Sequence, residues 1–158
     1  MPLEIVELNN RIWDLMRSIT YNIEYIFRPT CERFDLTMMQ MRILLEVWRN
    51  GLHTVGSLSR QMSIAGGNTS SICKRLEKEG FLTRIRDRQD ERVVHLKLSG
   101  KGEEIILLMR NELRDKYTKQ LGRLDENEVN DLIEALSKLD KTLICLNEST
   151  EDKDALKG

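Results

Sequence analysis

Aromatic side chains are scarce in this chain. It has two Trp, three Tyr and three Phe, 5% of 158 residues. With 32% of residues charged, that scarcity favours long, solvated helices. No apolar run approaches the roughly 18 residues that span a bilayer, and the opening MPLEIVELNN carries acid but no basic stretch. Neither a membrane partner nor a secretory signal is therefore expected, and the expected compartment is the cytoplasm. Histidine occurs twice, as His53 and His95, which is too few and too scattered for a zinc centre. Cys31, Cys73 and Cys145 are odd in number, widely spaced and free of any CxxC pattern, so reduced thiols are expected. No Ser, Thr or Cys has an identifiable paired base. The chain is read as no enzyme, with no metal and no cofactor.

What is present begins with a charge asymmetry. No Asp or Glu occurs from Val47 to Leu76. Thr54 to Gly102 holds ten Lys/Arg against five Asp/Glu, leaving 15 basic and 21 acidic residues elsewhere. A basic middle between acidic flanks points to a module that faces a polyanion.

Periodicity gives the order of elements. Ile5, Leu8, Ile12, Leu15, Ile19 and Ile26 form a heptad-like stripe, and Pro29 predicts a kink or stop between Tyr25 and Pro29. Thr37 with Gln40 has capping-box spacing before a helix that buries Met41, Leu44, Leu45 and Trp48 and ends at Asn50-Gly51. Thr54 can cap a short helix carrying Val55, Leu58 and Met62. Ala65-Gly66-Gly67 is expected to break that helix, and Asn68 to cap or open the next, with Ile72, Cys73 and Leu76 inward. Two short helices around a tight glycine turn make a helix-turn-helix pattern. The period then changes to two, with Leu82, Arg84 and Arg86 answered by Val94, Leu96 and Leu98 across a charged tip, which predicts a hairpin. Together these predict an α+β winged helix, mainly α with a small β-hairpin wing. Ser99 caps a helix with Ile105, Met109, Leu113, Tyr117 and Leu121. Asp125 and Glu128 have capping-box spacing before the seam Val129, Leu132, Leu136, Leu139, Leu143 and Leu146. The first and last seams exceed what one small lobe can bury, which predicts a homodimer.

This ordered set resembles the MarR family of bacterial transcription regulators over roughly residues 5 to 146. Leu36-Thr37 with Gln40 is similar to the family's LTxxQ. Leu58, Asn68-Thr69, Leu76-Glu77 and Gly80 are similar to its recognition region and LExxG. Asp90-Glu91-Arg92 with Leu98-Ser99 and Gly102 resembles DxR…LTxxG. Glu91 stands where the family often carries Arg. The resemblance implies a dimerisation helix at 1–35, a DNA-binding lobe at 36–100, dimerisation helices at 101–147 and a flexible tail at 148–158. It also implies a repressor on a pseudo-palindromic double-stranded operator, released by a small-molecule or redox signal. A winged-helix dimer that docks a protein without specific DNA binding is the alternative.

In that frame Gly66, Gly67, Asn68, Thr69, Ser70 and Ser71 suit close approach to a major groove, with Asn68 and Ser71 reading base edges. Lys74 and Arg75 would take phosphates, as would Arg86 and Arg88 on the wing. Arg92 would enter the minor groove, its guanidinium oriented by a bidentate pair with Asp90. Trp13, Tyr21, Tyr25, Phe34 and Trp48 either line a pocket for a small aromatic ligand or belong to the core. Cys31, near Arg28 and Arg33, is the candidate redox sensor, whereas Cys73 has the setting of a buried structural residue.

Overall fold

The computed structural model describes residues 4–62, 66–87, 89–90 and 92–154. The chain divides into two compact units, Met1–Asp115 and Lys116–Gly158, with the boundary inside a helix. The first unit runs α1 (Ile5–Arg33), α2 (Met38–Asn50), α3 (Val55–Gln61), α4 (Gly66–Lys78), β1 (Leu82–Arg86) and β2 (Val94–Leu98), followed by most of α5 (Gly100–Leu121). The second holds the end of α5 and all of α6 (Glu126–Asp154).

α1 does not stop before Pro29; the helix carries the proline within it and continues to Arg33. An internal proline costs about 3 kcal/mol, and burial and two contacts to Glu112 anchor the turn that follows it. Thr30 and Cys31 are buried. The Thr30 hydroxyl donates to Glu112 Oε1 at 3.1 Å, and Arg33 reaches Glu112 Oε2 at 2.8 Å. The helix then closes on a Schellman turn. Leu36 N–H donates to the Cys31 carbonyl at 2.9 Å and Asp35 N–H to that of Glu32 at 3.1 Å, with Asp35 at φ 53°. Asp is one of the few non-glycine residues that tolerate this region.

The predicted capping box at α2 forms in both directions. Thr37 Oγ1 accepts from Gln40 N at 3.2 Å, and Gln40 Oε1 accepts from Thr37 N at 2.8 Å. Thr54 caps α3 by accepting from Ser57 N at 3.0 Å. The hairpin pairs antiparallel with Leu82 opposite Leu98, Arg84 opposite Leu96 and Arg86 opposite Val94. His53 adds a third short rung: its N–H donates to the Leu96 carbonyl at 3.1 Å and its carbonyl accepts from Leu96 N. The core of this unit is aliphatic, with Ile43, Leu44, Leu58, Leu76, Leu82, Leu96 and Ile106 fully buried.

One glycine joins the hairpin to α5. Ser99 Oγ accepts from Gly102 N at 3.0 Å, capping the helix, while Ser99 N–H donates to the Phe81 carbonyl at 3.0 Å. A Cβ on Gly102 would lie 2.2 Å from that same carbonyl oxygen and 3.0 Å from a Leu98 methyl. No other residue fits this backbone approach without a shift.

In the second unit, the Asp125–Glu128 box forms with one altered bond. Glu128 Oε2 accepts from Asp125 N at 3.1 Å as expected, but the Asp125 carboxylate takes the N–H of Asn127, at 3.2 Å. α6 then continues to Asp154, into the segment whose composition suggests a flexible tail. Most of its apolar seam is open to solvent, with Leu132 62% and Leu136 45% exposed, while Leu139 and Leu143 are half-buried. In the first unit, α1 likewise exposes Ile5, Trp13, Leu15, Met16, Tyr21 and Ile26. No helix among the described residues is long and apolar enough to cross a membrane.

Candidate nucleic-acid interface

α4 sorts its residues by helical period. Cys73 and Leu76 are fully buried, and Ile72 packs against the same core. The outer face presents Asn68, Ser71, Lys74, Arg75 and Lys78, and no carboxylate lies in the first turn. Lys78 was not among the residues singled out from sequence. It lies one turn beyond Lys74, and extending the i, i+4 row from that lysine would have found it.

Three expectations about α4 change. The preceding helix ends at Gln61 and Ala65 lies outside the described residues, but Gly66 and Gly67 belong to the next helix: Gly66 opens it and Gly67 lies within its first turn, so Asn68 is inside α4 rather than at its cap. Helix N-terminal amides are unpaired in any case, and a Cβ on Gly67 would meet nothing within 4 Å. Thr69 is fully buried, so its side chain has no route to a ligand outside and belongs to the packing. Arg75 is tied: its Nε donates to Glu79 Oε1 at 2.7 Å, while Glu79 Oε2 accepts from Gln40 Nε2 at 3.2 Å. That chain of bonds fixes α4 against α2. Ser71 is exposed, with its hydroxyl returned to the Gly67 carbonyl at 3.1 Å, and Ser70 is half-buried.

The wing tip is organised by an acid that sequence reasoning passed over. Asp87 Oδ1 accepts from Gln89 N at 2.8 Å and Asp90 N at 3.1 Å, and Oδ2 lies 3.0 Å from His95 Nε2. The Gln89 amide first, then the Asp90 amide and His95, hold the Asp87 carboxyl below its ordinary range. His95, expected to be isolated, is thus part of the tip. A clue was in the sequence, because Asp followed by polar residues at a hairpin end is an Asx-turn pattern.

Asp90 has a different job from the one expected. Its Oδ1 accepts the backbone N–H of Arg92 at 3.0 Å, and it forms no ion pair with the Arg92 guanidinium. A carboxylate two residues upstream meets the local amide before it meets a flexible side chain. Asp90 therefore shapes the turn and leaves the Arg92 head unheld. Among the described residues neither Arg86 nor Arg92 has an ion-pair partner, and both are exposed, whereas Arg84 is paired with Glu77 at 2.8 Å. Arg88 and Glu91 lie outside the described residues.

The five aromatic residues do not converge. Trp13 and Tyr21 line one shallow cleft on α1. Trp48 lines another, of about 210 Å³, with Phe27, Met41, Leu45, Met109 and Leu113. Phe34 packs against the core and Tyr25 is 71% exposed. Arg110 and Arg49 rim the Trp48 cleft, and the Arg110 guanidinium stacks 4.4 Å from the Trp48 ring.

Cys31 does not have the setting of a thiolate sensor. It is buried, and burial first and Glu32 second raise its thiol above the ordinary value. Neither Arg28 nor Arg33 acts on it; Arg28 faces Glu24 and Arg33 faces Glu112. Cys73 is also buried with a raised thiol, as a packing residue should be.

A glycine-opened helix with an outward basic row, packed behind a shorter helix and followed by a two-stranded hairpin, defines the winged-helix class of DNA-binding proteins. The particular family follows from comparison with known proteins. The family described as transcriptional regulator SarA/Rot matches residues 25–109. The HTH-type transcriptional regulator FarR of Neisseria gonorrhoeae is 31% identical over 120 residues, covering 74% of this chain and 82% of the relative. A MarR family protein from Bacillus stearothermophilus superposes with a TM-score of 0.69 at 25% identity, over 90% of this chain and 99% of the other. The structure of NadR in complex with 4-hydroxyphenylacetate gives 0.69 at 27% identity, over 84% and 98%. The chain belongs to this family of HTH-type transcriptional regulators, and its MarR-like fold is that of its structural neighbours.

Proposed function

We propose that the protein is a cytoplasmic, non-enzymatic homodimer that binds a pseudo-palindromic DNA operator and represses transcription until a small molecule releases it. The observation that carries the DNA reading is the outer row of α4, Asn68, Ser71, Lys74 and Lys78, on a helix whose first turn has no acid. Asn68 and Ser71 read base edges, Ser71 giving up its bond to Gly67. Lys74 and Lys78 take phosphates, and the first-turn amides at Gly66 and Gly67 face the backbone of the duplex. Arg75 serves mainly to hold α4 in place through Glu79. On the wing, Arg92 enters the minor groove while Arg86 and Arg88 follow the phosphates. The open seams of α1 and α6 are the surfaces that a second copy covers. Two recognition helices then stand about 34 Å apart, one turn of DNA.

A small-molecule signal fits better than oxidation of Cys31, which is buried. The Trp48 cleft, apolar and rimmed by Arg49 and Arg110, suits a one-ring aromatic carboxylate. A structural relative solved with 4-hydroxyphenylacetate supports that class. The test is selection of bound duplexes from a random pool, repeated with aromatic carboxylates present. Enrichment of a two-fold symmetric sequence, lost on adding such a ligand, is expected; a pool that stays random would refute the reading.

A further inference from the structure

The end of α1 and the start of α2 bring three sulfur atoms together. Cys31 Sγ lies 3.5 Å from Met38 Sδ and 3.4 Å from Met41 Sδ. Cys31 and Met41 are 2% and 3% exposed, and Met38 is half-buried. Thiolate and thioether are soft donors, and this combination selects a soft cation. Among the described residues no three His, Cys, Asp or Glu side chains cluster, so this sulfur group is not the edge of a harder site.

We propose that Cys31, Met38 and Met41 form a binding site for a monovalent soft metal ion, Cu(I) or its analogue Ag(I). Charge argues for the valence. One thiolate with one monovalent cation is neutral overall, which an apolar core accepts, whereas Zn(II) would leave a net positive charge buried. Binding replaces the thiol proton by the metal: the S–H bond breaks, a metal–sulfur bond forms, and the proton leaves to solvent. No electron is transferred. With metal–sulfur bonds of about 2.3 Å, taking the length known for thiolate on zinc, a trigonal site needs sulfur separations of roughly 4 Å. The observed separations are about half an ångström shorter, an expansion that the three rotatable bonds of each Met can supply. A route in is present as well. Met38 lines a cleft of about 290 Å³ with Thr20, Ile23, Glu24, Met39 and Arg42. An ion entering there would pass from the Met38 thioether to Cys31 by ligand exchange.

The test uses the intact 158-residue chain with exposed Cys145 replaced by Ser, so that this thiol does not compete. Cu(I) is titrated anaerobically against a chromogenic chelator, and sulfur coordination is read by X-ray absorption. The expected result is one Cu(I) per chain with three sulfur ligands. Met38→Leu and Met41→Leu, which conserve volume, should each weaken binding at least about tenfold, and Cys31→Ser should abolish it. Binding unchanged in the two Leu variants would overturn the site even if Cys31→Ser failed to fold. A spectrum dominated by nitrogen or oxygen, or by a single sulfur, would overturn it too.

Discussion

Replacing Gly102 with Ala tests how the wing is joined to the rest of its unit. The added methyl would be placed 2.2 Å from the Phe81 carbonyl oxygen and 3.0 Å from a Leu98 methyl. Both neighbours are constrained: the Phe81 carbonyl accepts from Ser99 N, and Leu98 is buried on β2. Overpacking of this kind costs about 1–3 kcal/mol, with the backbone clash placing it at the upper end. Against that, Ala is favoured over Gly in a helix by about 1 kcal/mol. The net loss is then about 2 kcal/mol, which for a chain of this size lowers Tm by roughly 4–8 °C. The control is Gly100→Ala at the start of the same helix, where a Cβ meets nothing within 4 Å. It should leave Tm unchanged or raise it slightly. Thermal melts by circular dichroism, with urea midpoints as a second measure, decide the matter. If Gly102→Ala melts with or above the parent, the close approach at Phe81 does not constrain the protein.

Leu132→Glu puts a charge on the open seam of α6, where the side chain is 62% exposed in one copy; sedimentation equilibrium should show the dimer weakened and the monomer still folded. Asp87→Asn should disorder the wing tip, read as loss of the protected Gln89 and Asp90 amide signals by NMR, with the helices unchanged. In the parent, a carboxyl with a lowered folded-state value contributes order that is fully present above the unfolded value of about 3.9 and is lost as pH falls through the folded value. The tip should therefore hold unchanged from pH 7 to 5 and melt only below pH 4. A thiol reagent should label Cys145 quickly and Cys31 and Cys73 slowly, since only Cys145 is exposed; rapid labelling of Cys31 would reopen its role as a sensor.

Elements whose signals are local were legible in the sequence. The Thr37–Gln40 box, the Thr54 cap and the paired strands at 82–86 and 94–98 each depend on residues a few positions apart, and the structure has them all. Departures came where packing or a competing partner decides. Pro29 reads as a kink or a stop, but the helix runs through it to Arg33, and Glu112, 82 residues beyond Thr30, bonds to the last turn. Gly66 and Gly67 read as a break, yet the inward packing of Thr69, Cys73 and Leu76 draws them into α4. The competition for the wing carboxylates was equally hidden. Asp90 and Arg92 have spacing that suits a guanidinium pair, but a backbone amide two residues on is nearer and costs less entropy to engage. The aromatic set divides between core and clefts, Phe34 packing on the core and Trp48 lining a cleft, because helical spacing says which residues share a face, not which faces meet.

The most direct test of the DNA-binding account is an anisotropy titration of a selected operator duplex across ionic strength, with parent protein, Lys74→Ala and Arg92→Ala side by side. If a dimer neutralises six to ten phosphates, affinity should fall about 10³- to 10⁵-fold between 50 and 200 mM salt. Lys74→Ala should weaken binding on all duplexes alike and lower the logarithmic salt slope by about one for each phosphate no longer neutralised. Arg92→Ala should weaken it most where the flanking minor groove is narrow. Binding that ignores salt, or two variants with the parent's affinity and slope, would contradict the assignment of α4 and the wing to DNA.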